Sequence, residues 1–487
     1  MRHAAPLVVA ALVCACGSSS QQTTLTREQL LDPQTCNGCH PDQFSEWQGS
    51  MHAYASNDPV FLAMNKRGQR ETQGALGKFC VNCHAPLAVR EGLTTDGLNL
   101  EQLPQSMKGV TCFFCHTVES VQGDHDNPLT LATDNVLRGA ISNPSPNNRP
   151  HASAYSPLLD RDNAQSSTTC GACHDIVNGH GAAIERTFSE WKTSAFALIS
   201  GTTCGQCHMP QSLTEKPIAS TQGAPLRRSH GHTFPGVDLS LTDFPDKARQ
   251  KEQVQALLET TLQTAICVQQ FGSAAQVSVI MDNVAAGHSF PSGAEQDRRA
   301  YVELKAYDAS NNVLYQSGVV ADNVAAAAST DPDMWMMRDC MFDDTGKEVH
   351  MFWEAASYET NALPALTTFD ITSPEFYKGH KFKMFPNTGA TIPIPDRIDL
   401  RVRVEAVGYD VLDNLIASGD LDPAVRNIFT VLDVGGPVEW TKADISASNT
   451  HTYLDRNTGQ RVYCATNTNL NVTADRFPAG TRTKCSP

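Results

Sequence analysis

The chain has 487 residues, of which 40% are hydrophobic, 18% charged and 7% aromatic, enough for two or three globular domains. Its 27 prolines and 32 glycines are close to average usage, which excludes a collagen-like repeat and a low-complexity linker protein. The formal net charge of −15 leaves no basic field for nucleic acid or for an anionic membrane surface. No apolar run reaches the roughly 18 to 20 residues of a membrane-spanning helix, so we do not expect the chain to cross a bilayer.

Residues 1–16 have the features of an export signal. A positively charged start is followed by an apolar centre over residues 7–13. The segment ends in the letters C-A-C, which resemble a bacterial lipobox, and we expect Cys16 to receive lipid. Gly17 follows this cysteine, which by resemblance to bacterial lipoproteins favours the outer membrane.

The processing of this segment decides the predicted location of the protein. Lipidation would give an exported outer-membrane lipoprotein, on the periplasmic or extracellular face, that contacts the membrane only through its lipid anchor. In the alternative, a peptidase cuts after Ala15 and the protein is secreted. In both cases residues 17–31 are expected to form a tether.

Ten of the sixteen cysteines fall in five C-x-x-C-H arrangements. This spacing is typical of haem c attachment, because two thiols reach the vinyl groups on one porphyrin edge while the following histidine binds the iron. The predicted thioether residues are Cys36, Cys39, Cys80, Cys83, Cys112, Cys115, Cys170, Cys173, Cys204 and Cys207. The predicted proximal iron ligands are His40, His84, His116, His174 and His208. We therefore expect five covalently bound haems c.

An alternative interpretation pairs the C-x-x-C units into zinc sites with four thiolate ligands. It does not explain why a histidine follows the second cysteine every time. Successive motifs start 44, 32, 58 and 34 residues apart, which is too short for a separate domain around each haem. The haems are therefore expected to share one core and to form an electron path.

Several further histidines are candidates for the second axial position on the iron. A helix is expected to carry His52, which lies twelve residues after the first proximal histidine, and loops are expected to carry the others. The distal candidates are His52, His151, His230, His232 and His288. His232 is preferred to His230 as the ligand from their shared segment. The fifth distal ligand is left open among His125, His180, His230, His350 and His380.

The letters F-S-E-W occur twice, at residues 44–47 and 188–191. The repeat indicates duplication of a haem-pair unit. The second copy has Phe196 where the first has His52, so its helix is expected to serve packing, with a ligand taken from elsewhere. We expect the tryptophans of both copies to pack at haem edges rather than to relay electrons.

These segments resemble the multihaem c-type cytochromes of the cytochrome c554-like group, which are exported and cell-surface electron carriers. The resemblance covers roughly residues 32–300. In such proteins the histidines at the positions of His52 and His288 would be distal haem ligands. The segments that carry the resemblance are 36–55, 109–116, 170–175, 184–191, 204–210 and 287–293.

The fold class expected for the whole chain is α+β. A mostly helical, loop-rich pentahaem domain with little regular structure is predicted over 32–240, and a linking helix within 241–273 from helical periodicity between 246 and 271. A β-sandwich-like domain is predicted over 274–435, followed by a C-terminal extension over 436–487. The predicted strands are 276–281, 301–307, 313–318, 334–342, 347–353 and 398–407.

Four cysteines remain after the haem motifs and the signal: Cys267, Cys340, Cys464 and Cys485. An even remainder in an oxidising compartment suggests two disulfides. Among the three possible connectivities we favour Cys464–Cys485, closing the tail, and Cys267–Cys340, joining the linking helix to the β-domain.

Function is predicted as electron transfer through low-potential haems with imidazole on both sides, by a carrier rather than an enzyme. The expected partners are other redox proteins as electron donor and acceptor. One alternative is a reductase for nitrite, hydroxylamine or peroxide with one open haem, although no C-x-x-C-K motif occurs. Another is self-association into a conductive filament.

Overall fold

The computed structural model describes residues 24–143, 150–370, 373, 375, 380–444, 452–454, 461–463 and 485. The predicted export signal with Cys16, and Cys464, lie outside the described residues. Within the described ranges no helix is both long enough and apolar enough to span a membrane.

Short helices and turns build the first half of the chain. Proline or an oxygen-bearing cap starts many of them, as where Asp58 accepts hydrogen bonds from the first turn of the helix that begins at Pro59. The helices are α1 Arg27–Leu31, α2 Pro33–Asn37, α3 Pro41–Gln48, α4 Met51–Tyr54, α5 Pro59–Glu71, α6 Val81–His84, α7 Pro86–Arg90, α8 Cys112–His116, α9 Ser166–Gly171, α10 Thr187–Lys192 and α11 Cys204–His208.

Four two-stranded pairs complete this half. The strands are β1 Val118–Val121 with β2 Leu129–Leu131, β3 Leu137–Gly139 with β4 Ser153–Tyr155, β5 Ile176–Val177 with β6 Ala183–Glu185, and β7 Lys216–Pro217 with β8 Leu226–Arg227. The prediction of a mostly helical, loop-rich region with little regular structure is confirmed.

The linking helix is shorter than predicted. Helix α12 spans Lys247–Thr261, and the next residues form strand β9, Gln263–Phe271, instead of continuing the helix to 271. Strand β9 pairs along its whole length with β10, Ala274–Asp282. Its β-branched residues favour an extended backbone, and burial in a sheet decides between the helical and strand patterns.

Two sheets pack face to face in the second half, which confirms the sandwich-like region. The strands after β10 are β11 Arg299–Tyr307, β12 Val313–Ser317, β13 Trp335–Met337, β14 Asp339–Phe342, β15 Glu348–Val349, β16 Ser357–Thr360, β17 His380–Phe385, β18 Ile392–Pro393, β19 Arg397–Glu405, β20 Leu432–Thr441, β21 Thr452–Leu454 and β22 Arg461–Tyr463. Helices α13 Tyr409–Ala417 and α14 Pro423–Ile428 lie between β19 and β20.

One sheet has the order β17-β10-β18 with β9 beside β10, and the other has the order β12-β11-β19-β20 with β13 beside β11. Alternate residues of β10, β11 and β19 point into one shared core, where Val279, Val302 and Leu400 are almost fully buried. The sandwich therefore extends beyond the predicted limits of 274 and 435. The strand predicted over 347–353 is wrong in extent, since only Glu348–Val349 is extended.

Both predicted disulfide pairings are wrong, because Cys340 is bonded to Cys485. Cys340 lies in β14, which pairs with β15 and β16 in a separate three-stranded sheet and not with the sheet that contains β9. The bond is buried beside Phe342. Cys267, in β9, is also disulfide-bonded.

Buried ion pairs join the two halves. The guanidinium of Arg186 lies 2.9 Å from a carboxylate oxygen of Glu295 and 2.6 Å from one of Asp339. It also lies over the ring of Tyr358, 4.0 Å from the ring centre. Leaving either charge buried without its partner would be costly, so this contact fixes how the β-sandwich meets the motif-bearing half.

Asp297, in the loop between β10 and β11, gives the fold a testable pH dependence. Burial raises the pKa of its carboxyl to about 7. The folded state therefore favours the protonated carboxyl. This contribution to the free energy of unfolding is present below about pH 4 and is lost as pH rises to about 7. Asp297→Asn should raise stability near pH 8 by on the order of 2 kcal/mol, and by less near pH 5. Guanidinium denaturation followed by circular dichroism measures both, and an equal effect at the two pH values would contradict the assignment.

Candidate haem sites

Each C-x-x-C-H motif is folded as one helical turn. The backbone N–H of His40 donates to the carbonyl of Cys36 (2.7 Å), and the equivalent bond joins His174 to Cys170 (3.1 Å). A residue and the fourth one after it lie on the same face of a helix, so the first cysteine and the histidine point the same way. This is the placement that one porphyrin requires of a thioether and a proximal ligand.

A hydrogen bond fixes the imidazole ring of every proximal histidine. In four of them Nδ1 donates to a backbone carbonyl, and in His174 it lies 3.2 Å from Oε1 of Glu185. The four carbonyl partners are Ile218 for His40 (2.8 Å), Ala55 for His84 (3.0 Å), Arg138 for His116 (2.5 Å) and Pro235 for His208 (2.7 Å). Histidines that bind metals usually donate the other ring N–H in this way, which leaves Nε2 for the iron.

Three of the distal candidates lie opposite proximal histidines at closely similar distances. The ring centres are 6.3 Å apart for His40 and His151, 6.3 Å for His174 and His52, and 6.5 Å for His116 and His232. Two imidazoles on opposite sides of one iron have centres about 6 Å apart, since each nitrogen–metal bond is about 2 Å and each ring centre lies about 1 Å behind its nitrogen. The residues present therefore fit haem iron with two imidazole ligands.

The structure holds His52 in place through its own backbone. The N–H of Val110 donates to the carbonyl of His52 (2.8 Å). Gly109 has a φ of +69°, and a Cβ there would lie 2.5 Å from this carbonyl oxygen, so only glycine allows the close approach. Burial lowers the pKa of His52 to about 3 and that of His232 to about 4, which keeps both rings in the neutral form that binds metal.

His288 is placed near the fifth motif. Burial lowers the pKa of His208 to about 4, and the nearby His288 adds to this shift. Nδ1 of His288 donates to the carbonyl of Ser289 (2.8 Å), as the proximal rings donate to theirs.

The structure does not bring His230 to a proximal ring. Its Nε2 lies 3.3 Å from the side-chain nitrogen of Gln211, and its backbone forms a bridge with the same residue. Its neighbour His232 occupies the position opposite His116 instead. Of the other candidates for the fifth ligand, His125 and His180 are exposed.

His84 differs from the other four proximal histidines. Its ring stacks on Phe61, with centres 4.0 Å apart and planes within 4° of parallel. In the described part of the chain, no histidine ring is paired with it. None of His125, His180 and His350 forms a ring pair with it, and the side chain of His380 lies outside the described part of the chain.

Cysteine contacts bring the motifs together. The thiol of Cys112 lies close enough to that of Cys36 to lower the pKa of Cys36, and Cys204 lies close enough to Cys170 to raise the pKa of Cys170, so motifs 36–40 and 112–116 are neighbours, as are 170–174 and 204–208. Cys83 raises the pKa of the Cys173 thiol in the same way. Among the described residues no group of three or more His, Cys, Asp or Glu side chains is arranged to hold a metal ion, as a zinc site would require.

Sequence reasoning missed the partners of the proximal rings. A backbone carbonyl carries no signature in its residue type, so Ile218, Ala55 and Pro235 give no signal in the sequence. In the sequence, nothing distinguishes Glu185 from the many other acidic residues. Its role follows from the pairing of β5 with β6, which places it across from Ile176, two residues after the proximal histidine.

These sites and the helical, loop-rich half that carries them define a c-type cytochrome. Residues 35–117 match the model of the family described as cytochrome c554 and c-prime. The fold is similar to the crystal structure of a penta-heme cytochrome c552 from Thermochromatium tepidum, with 20% identity, a TM-score of 0.57, and 85% of this chain and 99% of that chain covered. A search of the curated proteins gave no match. The family match over residues 35–117 and the shared fold support a multihaem c-type cytochrome similar to the cytochrome c554 group, with electron transfer through haem c as its general function.

The bond from His174 to Glu185 predicts a difference in reduction potential. A carboxylate acceptor makes the imidazole a stronger donor to iron and favours the ferric state. Glu185→Gln keeps an acceptor oxygen but removes the charge, and should raise the potential of one haem by roughly 40 mV, equivalent to about 1 kcal/mol for one electron. A spectroelectrochemical titration measures this.

The control is Glu28→Gln, which removes the same charge from an exposed helix start. It should leave all potentials within error of the original protein. A Glu185→Gln protein with unchanged potentials, or with all of them shifted equally, would contradict the role of the carboxylate.

Proposed function

We propose that this cytochrome carries five haems c and passes electrons along them, with histidine on both sides of the iron at four sites. The observation that carries the proposal is the spacing of the three facing ring pairs, 6.3 to 6.5 Å between centres. Haem supplies the redox centre when bound, and the protein orients the ligands and excludes water. The proposed pairs are His40 with His151, His116 with His232, His174 with His52, and His208 with His288.

The cysteine contacts support an order for electron transfer. Motif 36–40 adjoins motif 112–116 through Cys36 and Cys112, and motif 170–174 adjoins motif 204–208. Burial raises the pKa of the Cys115 thiol to about 12, and Cys173 of the second pair is close enough to add to this shift. Electrons are proposed to follow the motifs 36–40, 112–116, 170–174 and 204–208 in that order.

Motif 80–84 lies next to motif 170–174, outside this series of four motifs. Cys83 is close enough to Cys173 to raise the pKa of that thiol, and His174 is close enough to His84 to add to the lowering of its pKa by burial. Motif 170–174 therefore has neighbours on three sides. Because its histidine alone bonds to a carboxylate, this site is proposed to have the lowest potential of the four with paired histidines.

Location and partners belong to the same proposal. We propose export, lipidation at Cys16 and attachment to the outer membrane. Other redox proteins would donate and accept electrons at motifs 36–40 and 204–208, the two ends of the order. Stacking of motif 36–40 of one copy on motif 204–208 of the next would give a conductive filament.

A second candidate function is reduction of a small molecule at motif 80–84. The observation that favours it is the ring of His84, which stacks on Phe61 and has no paired histidine among the described residues. An iron held there with an open sixth position would bind nitrite, hydroxylamine or peroxide.

Mass spectrometry, electron paramagnetic resonance and a cyanide titration of the purified protein test both candidates. The proposal predicts the added mass of five haems, four low-spin ferric centres with two imidazoles each, and cyanide binding by no more than one haem. Removal of one attachment site by Cys80→Ala with Cys83→Ala should abolish any cyanide binding and leave the four low-spin signals.

The outcomes separate the alternatives. No cyanide binding by the original protein would reject the reductase and leave the carrier. Fewer than five haems, or cyanide binding by two or more of them, would contradict the proposal itself.

A further inference from the structure

The two F-S-E-W segments make the same contacts through their tryptophans. Trp47, in α3, donates from Nε1 to the carbonyl of Val110 (2.7 Å), and Trp191, in α10, donates from Nε1 to the carbonyl of Thr202 (2.9 Å). Each acceptor lies two residues before the first cysteine of a haem motif. The tryptophans therefore hold the chain where it enters that motif, rather than only packing beside a haem.

The residue between each acceptor and its motif starts the motif helix. Thr111 accepts a hydrogen bond from the N–H of Phe114, and Thr203 accepts one from that of Gln206. An indole bond on one side and a helix cap on the other fix where the motif turn begins. The proximal side of each of these two sites is thus held in the same way.

The glutamates of the two segments reach the distal sides. Oε2 of Glu46 accepts a hydrogen bond from the backbone N–H of His232 (2.8 Å). Oε2 of Glu190 accepts from the backbone N–H of Ser289 (3.1 Å) and from the hydroxyl of Ser292 (3.0 Å). Hydrogen bonds to a carboxylate are stronger than those between neutral groups, so each glutamate is a firm attachment for its loop.

The two contacts of one segment concern the same haem site. Trp47 holds the entry to motif 112–116, and Glu46 holds His232, whose ring lies 6.5 Å from that of His116. Trp191 holds the entry to motif 204–208, and Glu190 holds the residue after His288, which is near His208.

This explains what differs between the copies. His52, twelve residues after the first motif, has its ring 6.3 Å from His174 and serves another site, so it is not part of the shared device. At the corresponding place Phe196 packs edge-on against Phe369, with centres 5.2 Å apart. Glutamate and tryptophan recur because their contacts recur, whereas the histidine does not.

We propose that Glu46 with Trp47, and Glu190 with Trp191, are positioning pairs that each clamp both sides of one haem site. The tryptophan holds the proximal motif and the glutamate holds the segment that carries the distal histidine. The proposal rests on the proposed two-histidine ligation at motifs 112–116 and 204–208. Loss of the glutamate frees the distal histidine while the proximal bond and the thioethers stay.

Carbon monoxide binding to the reduced holoprotein tests this, because carbon monoxide needs an open axial position. Glu190→Ala should bind one more carbon monoxide per chain than the original protein and show a new high-spin ferric signal. Glu46→Ala should do the same at a different haem, and the double variant should bind two more. Glu190→Gln is the matched control, since its amide oxygen still accepts the loop N–H and should keep the original stoichiometry.

Trp191→Phe supplies a second test that does not require loss of a ligand. It removes only the indole N–H, and should shift the midpoint potential of the haem at motif 204–208. Glu190→Gln keeps the ligands but removes a charge beside the same site, and should shift the potential of the same haem. If either alanine variant fails to accumulate, these two milder variants decide the question. Potentials that shift at two different haems, or at none, would overturn the clamp.

The remaining outcomes distinguish the clamp from the function on which it rests. Unchanged spin state and carbon monoxide stoichiometry in both alanine variants would overturn the clamp and leave the proposed electron transfer. Absence of low-spin, two-imidazole signals in the original protein would overturn both.

Discussion

The hydrogen bond at Nδ1 of each proximal histidine is the constraint on which the sites depend. The C-x-x-C-H turn brings a histidine beneath a porphyrin, but it does not orient the ring. That orientation comes from acceptors elsewhere in the chain, such as Ile218 for His40 and Pro235 for His208. Local motifs are thereby tied to the tertiary fold, because the ring can face the iron only when the distant segment is in place.

The same dependence explains the part played by the β-sandwich. Loop 287–293, which carries His288, leaves the sandwich between β10 and β11 and meets α10 through Glu190. Arg186, the residue just before α10, pairs with Glu295, in the loop between β10 and β11, and with Asp339, in β14. The second half of the chain therefore contacts both α10 and the residue just before it.

Much of this could be predicted where chemistry imposes a short sequence pattern. The five motifs are readable because thioether formation and iron ligation need fixed spacing, and strands β10, β11 and β19 because burial in a sandwich imposes alternation. The helix was predicted to continue to residue 271 because the apolar residues in 263–271 fit both a helical and a strand period. Pairing with β10 makes this segment a strand. The partner of Cys340 was predicted wrongly because disulfide connectivity depends on which sheet contains β14.

The distal sides were predictable only as a set of candidates. His52, His151, His232 and His288 are placed opposite or near proximal rings, whereas His230, two residues from His232, is not. His232 is the one of these two that faces a proximal ring, and its backbone N–H donates to Glu46, which is 186 residues away. Glu185 had no signal of its own, since one carboxylate in a sequence looks like another, whereas Glu46 and Glu190 were marked by the repeated F-S-E-W letters but not by any predicted contact.

The fold sets three pairs of imidazoles at the separation of two ligands on one iron. An experimental density map of the holoprotein, by crystallography or electron cryomicroscopy, would show the ligands of each iron. We expect continuous density from iron to Nε2 of His151, His232, His52 and His288, opposite His40, His116, His174 and His208 respectively. Density that joins any of these four irons to a different distal residue, or to solvent alone, would contradict it.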